Sequence, residues 1–179
     1  ERGYGIPANR FALYEEAVEV LLEKWDKYRF IVRDATKLTK NKKIDFLGTL
    51  AYEGFSKLIK AFRWRTWELE ESVRKILQRS SQYNVETIDD DCRDEVKAIE
   101  SHHGILEEVG QGEYAFSNPG FQEYFTATYI VRQRDMELLN SVVERHLTDC
   151  RWESIFLLIA EKLYEADEFL VQMFKVANQ

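Results

Sequence analysis

A glycine turn between two short strand-like runs, followed at once by Asn-Pro, constrains this chain more than any other stretch. Residues 104–131 read GILEEVGQGEYAFSNPGFQEYFTATYIV. Gly110-Gln111-Gly112 is a turn, because glycine takes positive φ without a Cβ clash. Glu113 to Ser117 then reads as a return strand, with Tyr114 and Phe116 on one face. Asn118-Pro119 starts a helix: Asn is a favoured N-cap, and Pro in the first turn loses no hydrogen bond the helix needs. That helix carries Phe121, Tyr124, Phe125 and Thr128 on one stripe. This hairpin is the one strand-like unit visible in the sequence.

Everything else reads as helix. Only two prolines and eight glycines occur in 179 residues, which favours long helices over a many-turned β fold. Pro7 to about Tyr28 is expected to be helical, with Phe11, Tyr14, Val18, Leu21, Leu22, Trp25 and Tyr28 on one side. A lysine-rich connector, 37–43, leads to a second helix from Ile44 to about Phe62. Arg63-Trp64-Arg65 reads as a break. Thr66 is the expected N-cap of a third helix running to about Arg79, and Asp89 or Asp90 that of a fourth ending near His103, with Gly104 as its C′ residue. After the aromatic helix, three amphipathic segments follow: Asp135–Leu147, Arg151–Tyr164 and Asp167–Val176. The middle one is apolar almost all round at Ile155–Ala160, so deep packing is expected there. The fold class is therefore mainly α: a helical bundle holding a winged-helix unit with one β-hairpin wing, about residues 104–117, and further helices behind it. The expected division is 1–35 as a joining helical segment, 36–133 as the winged-helix domain and 134–179 as the start of a C-terminal helical domain.

Charge bears on partners. The net charge is −7, yet residues 31–65 hold nine basic and three acidic side chains. The helix expected before the wing, 89–103, carries six acids (Asp89, Asp90, Asp91, Asp94, Glu95, Glu100) against Arg93 and Lys97, and the wing adds Glu107, Glu108 and Glu113. A winged helix that reads DNA presents this helix to the groove, and phosphate contacts dominate affinity. The acids argue against nucleic acid as the partner. A DNA-binding regulator using the basic 31–65 segment is the alternative reading.

The usual marks of catalysis are missing. No GxxxxGK[ST] loop is present, and Gly110-Gln111-Gly112 is a turn rather than a phosphate cradle. His102 and His103 are adjacent, so their rings diverge by about 100° on a helix and suit a C-terminal cap better than a metal. Paired carboxylates (Glu15/Glu16, Asp89/Asp90/Asp91, Glu107/Glu108) have no nucleophile or histidine beside them. Glu123 sits among rings in the first turns of the aromatic helix, where dipole compensation and a functional role are both open. No catalytic residue and no metal site is expected. Cys92 and Cys150 are isolated, which points to a reducing, cytoplasmic setting. No apolar run has transmembrane length, and no signal peptide is visible. The chain opens at Glu1 without Met and reads as a piece of a larger protein.

Two motifs carry a family resemblance. Ile6-Pro7-Ala8-Asn9-Arg10-Phe11-Ala12-Leu13-Tyr14-Glu15, followed by Leu21-Leu22-Glu23-Lys24-Trp25-Asp26, resembles the segment after the nucleotide-binding core of bacterial NACHT-family proteins, which are STAND-class signalling NTPases. Gly104-Ile105-Leu106, Tyr114-Ala115-Phe116-Ser117-Asn118 and Phe121-Gln122-Glu123-Tyr124-Phe125 resemble the winged-helix motif of that family. The resemblance implies a non-catalytic regulatory module that packs on the NTPase core of the same chain. It would control ADP/ATP-dependent switching and homo-oligomerisation in bacterial signalling or defence. ATP or ADP with Mg would be bound by the core, whose Walker motifs would lie upstream of Glu1. In the family a motif histidine reaches the ADP phosphates. That position falls on Asn118, which can hydrogen-bond but cannot become a cation near neutral pH. Pro119-Gly120 also departs from the pattern. Asn118 as a phosphate contact, as a helix cap, or with Ser117 sharing the contact all stay open. Phe121, Glu123 and Tyr124 are the implied interaction residues.

Overall fold

The computed structural model describes residues 9–24, 38–56, 63–79, 86–100 and 104–178. The expectations for Pro7, Trp25 and Tyr28, the basic 31–37 and 57–62 stretches, His102 and His103 lie outside them.

Helix α1, Arg10–Glu19, continues as a π-turn through Lys24. It begins at Arg10, three residues after Pro7, because Asn9 is extended and its side chain accepts from the Ala12 amide at 2.8 Å. Helix α2 spans Lys40–Ser56 and starts four residues before Ile44. The lysines join the helix: the Lys43 amide donates to the Thr39 carbonyl at 2.9 Å, and lysine is a good helix former. Lys43 itself is buried.

The Arg63–Arg65 break holds a strand. Trp64–Arg65 forms β1, pairing antiparallel with the hairpin. Helix α3 is Thr66–Gln78, and its cap is Arg65 rather than Thr66. Thr66 has another role: its amide and its hydroxyl both donate to the Gly112 carbonyl in the hairpin turn, at 3.0 and 3.3 Å. Glu68 accepts from the Arg65 amide at 2.7 Å and closes the helix start. Helix α4, Ile88–Ala98, has Thr87 at its cap position and a π-turn at its end. Gly104 follows in the left-handed region at φ 60°.

The hairpin is β2, Leu106–Gly110, and β3, Glu113–Phe116. Gly112 takes the positive φ that the turn requires, and a bulge sits between Glu108 and Gly110. The sheet order is β1-β3-β2, with Trp64 opposite Tyr114 and Leu106 opposite Phe116. Helix α5, Pro119–Gln133, follows directly and ends on Arg134 at φ 52°. Then come α6 (Met136–His146, capped by Asp135), a 3-10 turn at Cys150–Trp152, α7 (Glu153–Lys162) and α8 (Asp167–Ala177).

Helix α5 is the centre of the packing. It lies along α2 and α7 and also touches α1, α6 and β3. Phe125, Ala127 and Ile130 bury its inner face, and one apolar cluster runs from Phe11 in α1 to Phe169 in α8. At the hairpin, Trp64 stands edge-on to Phe116, which leans on Phe125. The apolar run 155–160 is packed at Ile155, Phe156, Leu158 and Ile159, but Leu157 faces solvent.

Candidate functional site

The first two turns of α5 carry every residue singled out from the sequence, and the structure places them on two sides. Asn118 is an exposed N-cap whose Oδ1 accepts from the Gly120 amide at 2.7 Å. Its side-chain NH2 is left as a donor. Ser117 is committed locally, its hydroxyl donating to the Gly104 carbonyl at 2.6 Å.

Phe121, Glu123 and Tyr124 meet helix α1. The Phe121 ring stands edge-on to Tyr14 at 6.0 Å, and Tyr124 packs between Phe11 at 4.9 Å and Tyr14 at 5.9 Å. Glu123 takes a 2.8 Å ion pair from Arg10. Burial pushes the Tyr124 hydroxyl up to about 12. Helix α7 completes the clamp. Glu161 accepts from the Phe11 amide at 2.7 Å, and Lys162 pairs with Glu15 at 2.7 Å while lying 4.7 Å over the Phe11 ring. Gly120 makes this approach possible: a Cβ there would overlap the Tyr14 hydroxyl and lie 2.7 Å from its Cζ.

Beside β3, α5 also borders a cavity of about 500 Å³ walled by Phe55, Phe116 and Pro119, with Arg63, Arg151 and Glu123 itself lining it. Gln122 lines it too; its side chain is buried and its Nε2 has no hydrogen-bond partner among the described residues. Arg63 pairs with Glu113 at 3.1 Å and Arg151 with Asp149. The sequence did not single out Gln122, Arg63, Arg151 or Gly120. Only the glycine at the second helical position carried a signal, since it asks for a close approach.

Helix α4, in front of the wing, turns Asp89, Asp90 and Asp94 outward with Arg93 and Lys97. Glu95 belongs to the interior: its Oε1 accepts from the Leu38 amide at 2.7 Å. Glu100 reaches the Tyr114 hydroxyl at 3.4 Å, and burial and that carboxylate raise the Tyr114 pKa. Of the basic segment, Lys43 is buried, Lys40 pairs with Glu19 and Arg63 with Glu113. Among the described residues no group of three His, Cys, Asp or Glu side chains could hold a metal, and no helix is long and apolar enough to cross a membrane.

Helix, strand, helix, helix and hairpin, with the first strand added to the edge of the wing, define a winged helix-turn-helix domain. This one has an acidic outer face where a DNA reader carries bases. The chain belongs to the family of winged helix-turn-helix domains C-terminal to NACHT, whose model matches residues 10–130. No curated protein and no solved structure matches it. A domain of this family is the accessory region beside a NACHT unit.

Proposed function

We propose that the chain is the regulatory module of a NACHT-type signalling NTPase, acting by packing on the nucleotide-binding core to control its ADP/ATP-dependent switching and oligomerisation. The supporting observation is the start of α5. It is braced on one flank by α1 through Arg10–Glu123 and Tyr14, and it ends in the exposed Asn118 cap beside a half-open cavity. A tip braced in this way, in a family that sits beside NACHT, is suited to being read by the core. In this reading residues 1–35 join the module to the core, 36–133 form the winged helix and 134–179 begin a helical domain.

The module supplies a contact, not a nucleotide site. ATP or ADP with Mg would be held by the core. From this chain, Asn118 would offer its free NH2 to a phosphate oxygen while keeping its cap bond to Gly120. One neutral donor stabilises a resting state less than a cation would, so packing of the tip carries most of the difference between states. Signalling or defence in a bacterium is the setting this implies. Against the DNA-binding alternative, the wing-side helix is acidic, and among the described residues of the basic segment Lys43 is buried and Lys40 and Arg63 are paired.

The test is reconstitution with the NACHT core, measuring retention of bound ADP and nucleotide-driven oligomerisation. Asn118→Ala should speed ADP release modestly, and Phe121→Ala should do so more strongly. If both variants fold and leave both readouts unchanged, the proposal fails.

A further inference from the structure

Helices α2, α3 and α5 leave a groove of about 690 Å³ between them. Each helix turns one stripe into it. Lys42, Asp45 and Glu53 come from α2, Lys75 and Arg79 from the last turn and cap of α3, and Arg132 from the last turn of α5. Buried Phe46 and Gly48 also line it. Four cations therefore share one concavity with two acids, on a chain whose net charge is −7.

Helix dipoles account for part of this. Lys75, Arg79 and Arg132 lie at helix C-termini, where cations are ordinarily favoured. Lys42 does not fit that pattern. It lies in the first turn of α2, the end at which the dipole favours acids, and that turn carries none. A half-buried lysine at the positive end of its own helix, in one groove with the cations of two other helices, is held against both dipole and like charge. An anion in the groove removes both penalties.

The pairing within the groove is incomplete. Arg132 reaches Asp45 at 3.1 Å, and Lys75 reaches Glu71 at 3.1 Å; both pairs are largely exposed and easily exchanged. Lys42 and Arg79 have no ion-pair partner among the described residues. Residues 80–85, which follow Arg79 in the sequence, include no acid that could neutralise it. A concavity of this volume is in the range of small-ligand sites. Arginine offers a planar fork to phosphate oxygens and lysine a point charge, so the two together suit a phosphate group.

We propose that the groove between α2, α3 and α5 binds a small, multiply charged phosphate compound. Lys42 and Arg79 are its principal contacts, and Lys75 and Arg132 leave their surface pairs to close on it. The site is separate from the Asn118 tip, which lies at the other end of the 15-residue α5, about 22 Å away along the helix. It therefore does not depend on a nucleotide held by a NACHT core.

Calorimetric titration of the 179-residue chain with inorganic tripolyphosphate at low salt tests this. Binding is expected with a Kd on the order of 10–100 µM, weakening as salt is added. Lys42→Ala and Arg79→Ala should each weaken it about fivefold to tenfold, and Arg145→Ala, at an exposed cation on α6, should leave it unchanged. Without ligand, Lys42→Ala should melt no lower than the wild type, because it removes a cation from the wrong end of α2. ATP in a parallel titration separates the sources of the phosphate: affinity equal to that of tripolyphosphate assigns the site to the phosphate chain alone, and tighter binding assigns it to a nucleotide. No binding at about 1 mM tripolyphosphate, binding indifferent to both Lys42→Ala and Arg79→Ala, or a Lys42→Ala protein that melts lower without ligand would each overturn the proposal. So would sulfate binding as tightly as tripolyphosphate, which means an adventitious ion only, or hexaglutamate or duplex DNA binding more tightly.

Discussion

Gly120→Ala tests the packing of α1 more sharply than any truncation. Position 120 is in the first turn of α5, where alanine would ordinarily be preferred by up to about 1 kcal/mol. Here the new Cβ would overlap the Tyr14 hydroxyl and sit 2.7 Å from Cζ. The Tyr14 ring must leave its place, and it gives up its contacts with Phe121 and Tyr124. Each such ring pair contributes about 0.5–1.5 kcal/mol beyond burial, and forced overpacking generally costs about 1–3 kcal/mol. Set against the propensity gain, a net loss of about 1–2 kcal/mol is expected. For a chain of this size that lowers Tm by roughly 3–6 °C. Urea unfolding measures the loss, and hydrogen exchange at α1 amides should show loosening there before anywhere else. The double variant Tyr14→Ala/Gly120→Ala supplies the control: without the ring, the added methyl should be neutral or stabilising, giving a coupling of about 2 kcal/mol. A Gly120→Ala protein as stable as the wild type, or losses that simply add, would refute the account of how α1 is held.

Three further outcomes follow from the same packing. Asn118→Ala should cost the chain about 1 kcal/mol in urea unfolding through loss of its bond to the Gly120 amide, with Asn118→Asp close to wild type. In a native thiol titration one cysteine should react, the exposed Cys150. Buried Cys92, whose thiol burial pushes up to about 11, should react only after denaturation. Burial lowers the pKa of His146, stacked on Trp152 at 4.1 Å, below its ordinary 6.5. The unfolded chain therefore binds its proton first as pH falls. Stability from this group is present above pH 6.5 and declines below it, at most by about 1.4 kcal/mol per pH unit. His146→Phe, which keeps the stack, should show a smaller drop in Tm between neutral and mildly acid pH than the wild type does.

Local chemistry is what the sequence exposes well. Gly112 at the turn and Asn118-Pro119 at the helix start act within a few residues of themselves, so hairpin and α5 are readable from the local order of residues. Strand β1 is different. Trp64-Arg65 is too short to carry a periodic pattern and becomes a strand only because β3 lies beside it. Thr66 looked like a cap because threonine is a good one; a carbonyl from the distant hairpin turn captured it instead. At the candidate site, the Arg10–Glu123 pair joins residues 113 apart, and no spacing rule links such positions. The acid-rich helix α4 was legible as a whole, but the inward turn of Glu95 depends on the Leu38 amide waiting for it.

The wing also bears on how the chain avoids sticking to itself in the wrong way. In the order β1-β3-β2, the long free margin of the sheet is β2. A flat, unpaired strand margin is a template on which foreign backbone can grow into aggregates or fibrils. Here Glu107 and Glu108 are exposed along that margin, and the bulge before Gly110 twists its end out of register. The opposite margin, β1, offers just two residues before α3 begins. Both margins are thus poor templates for extension, and replacing Glu107, which makes no bond to the turn, with valine should leave the fold standing while making concentrated solutions prone to β-rich precipitation.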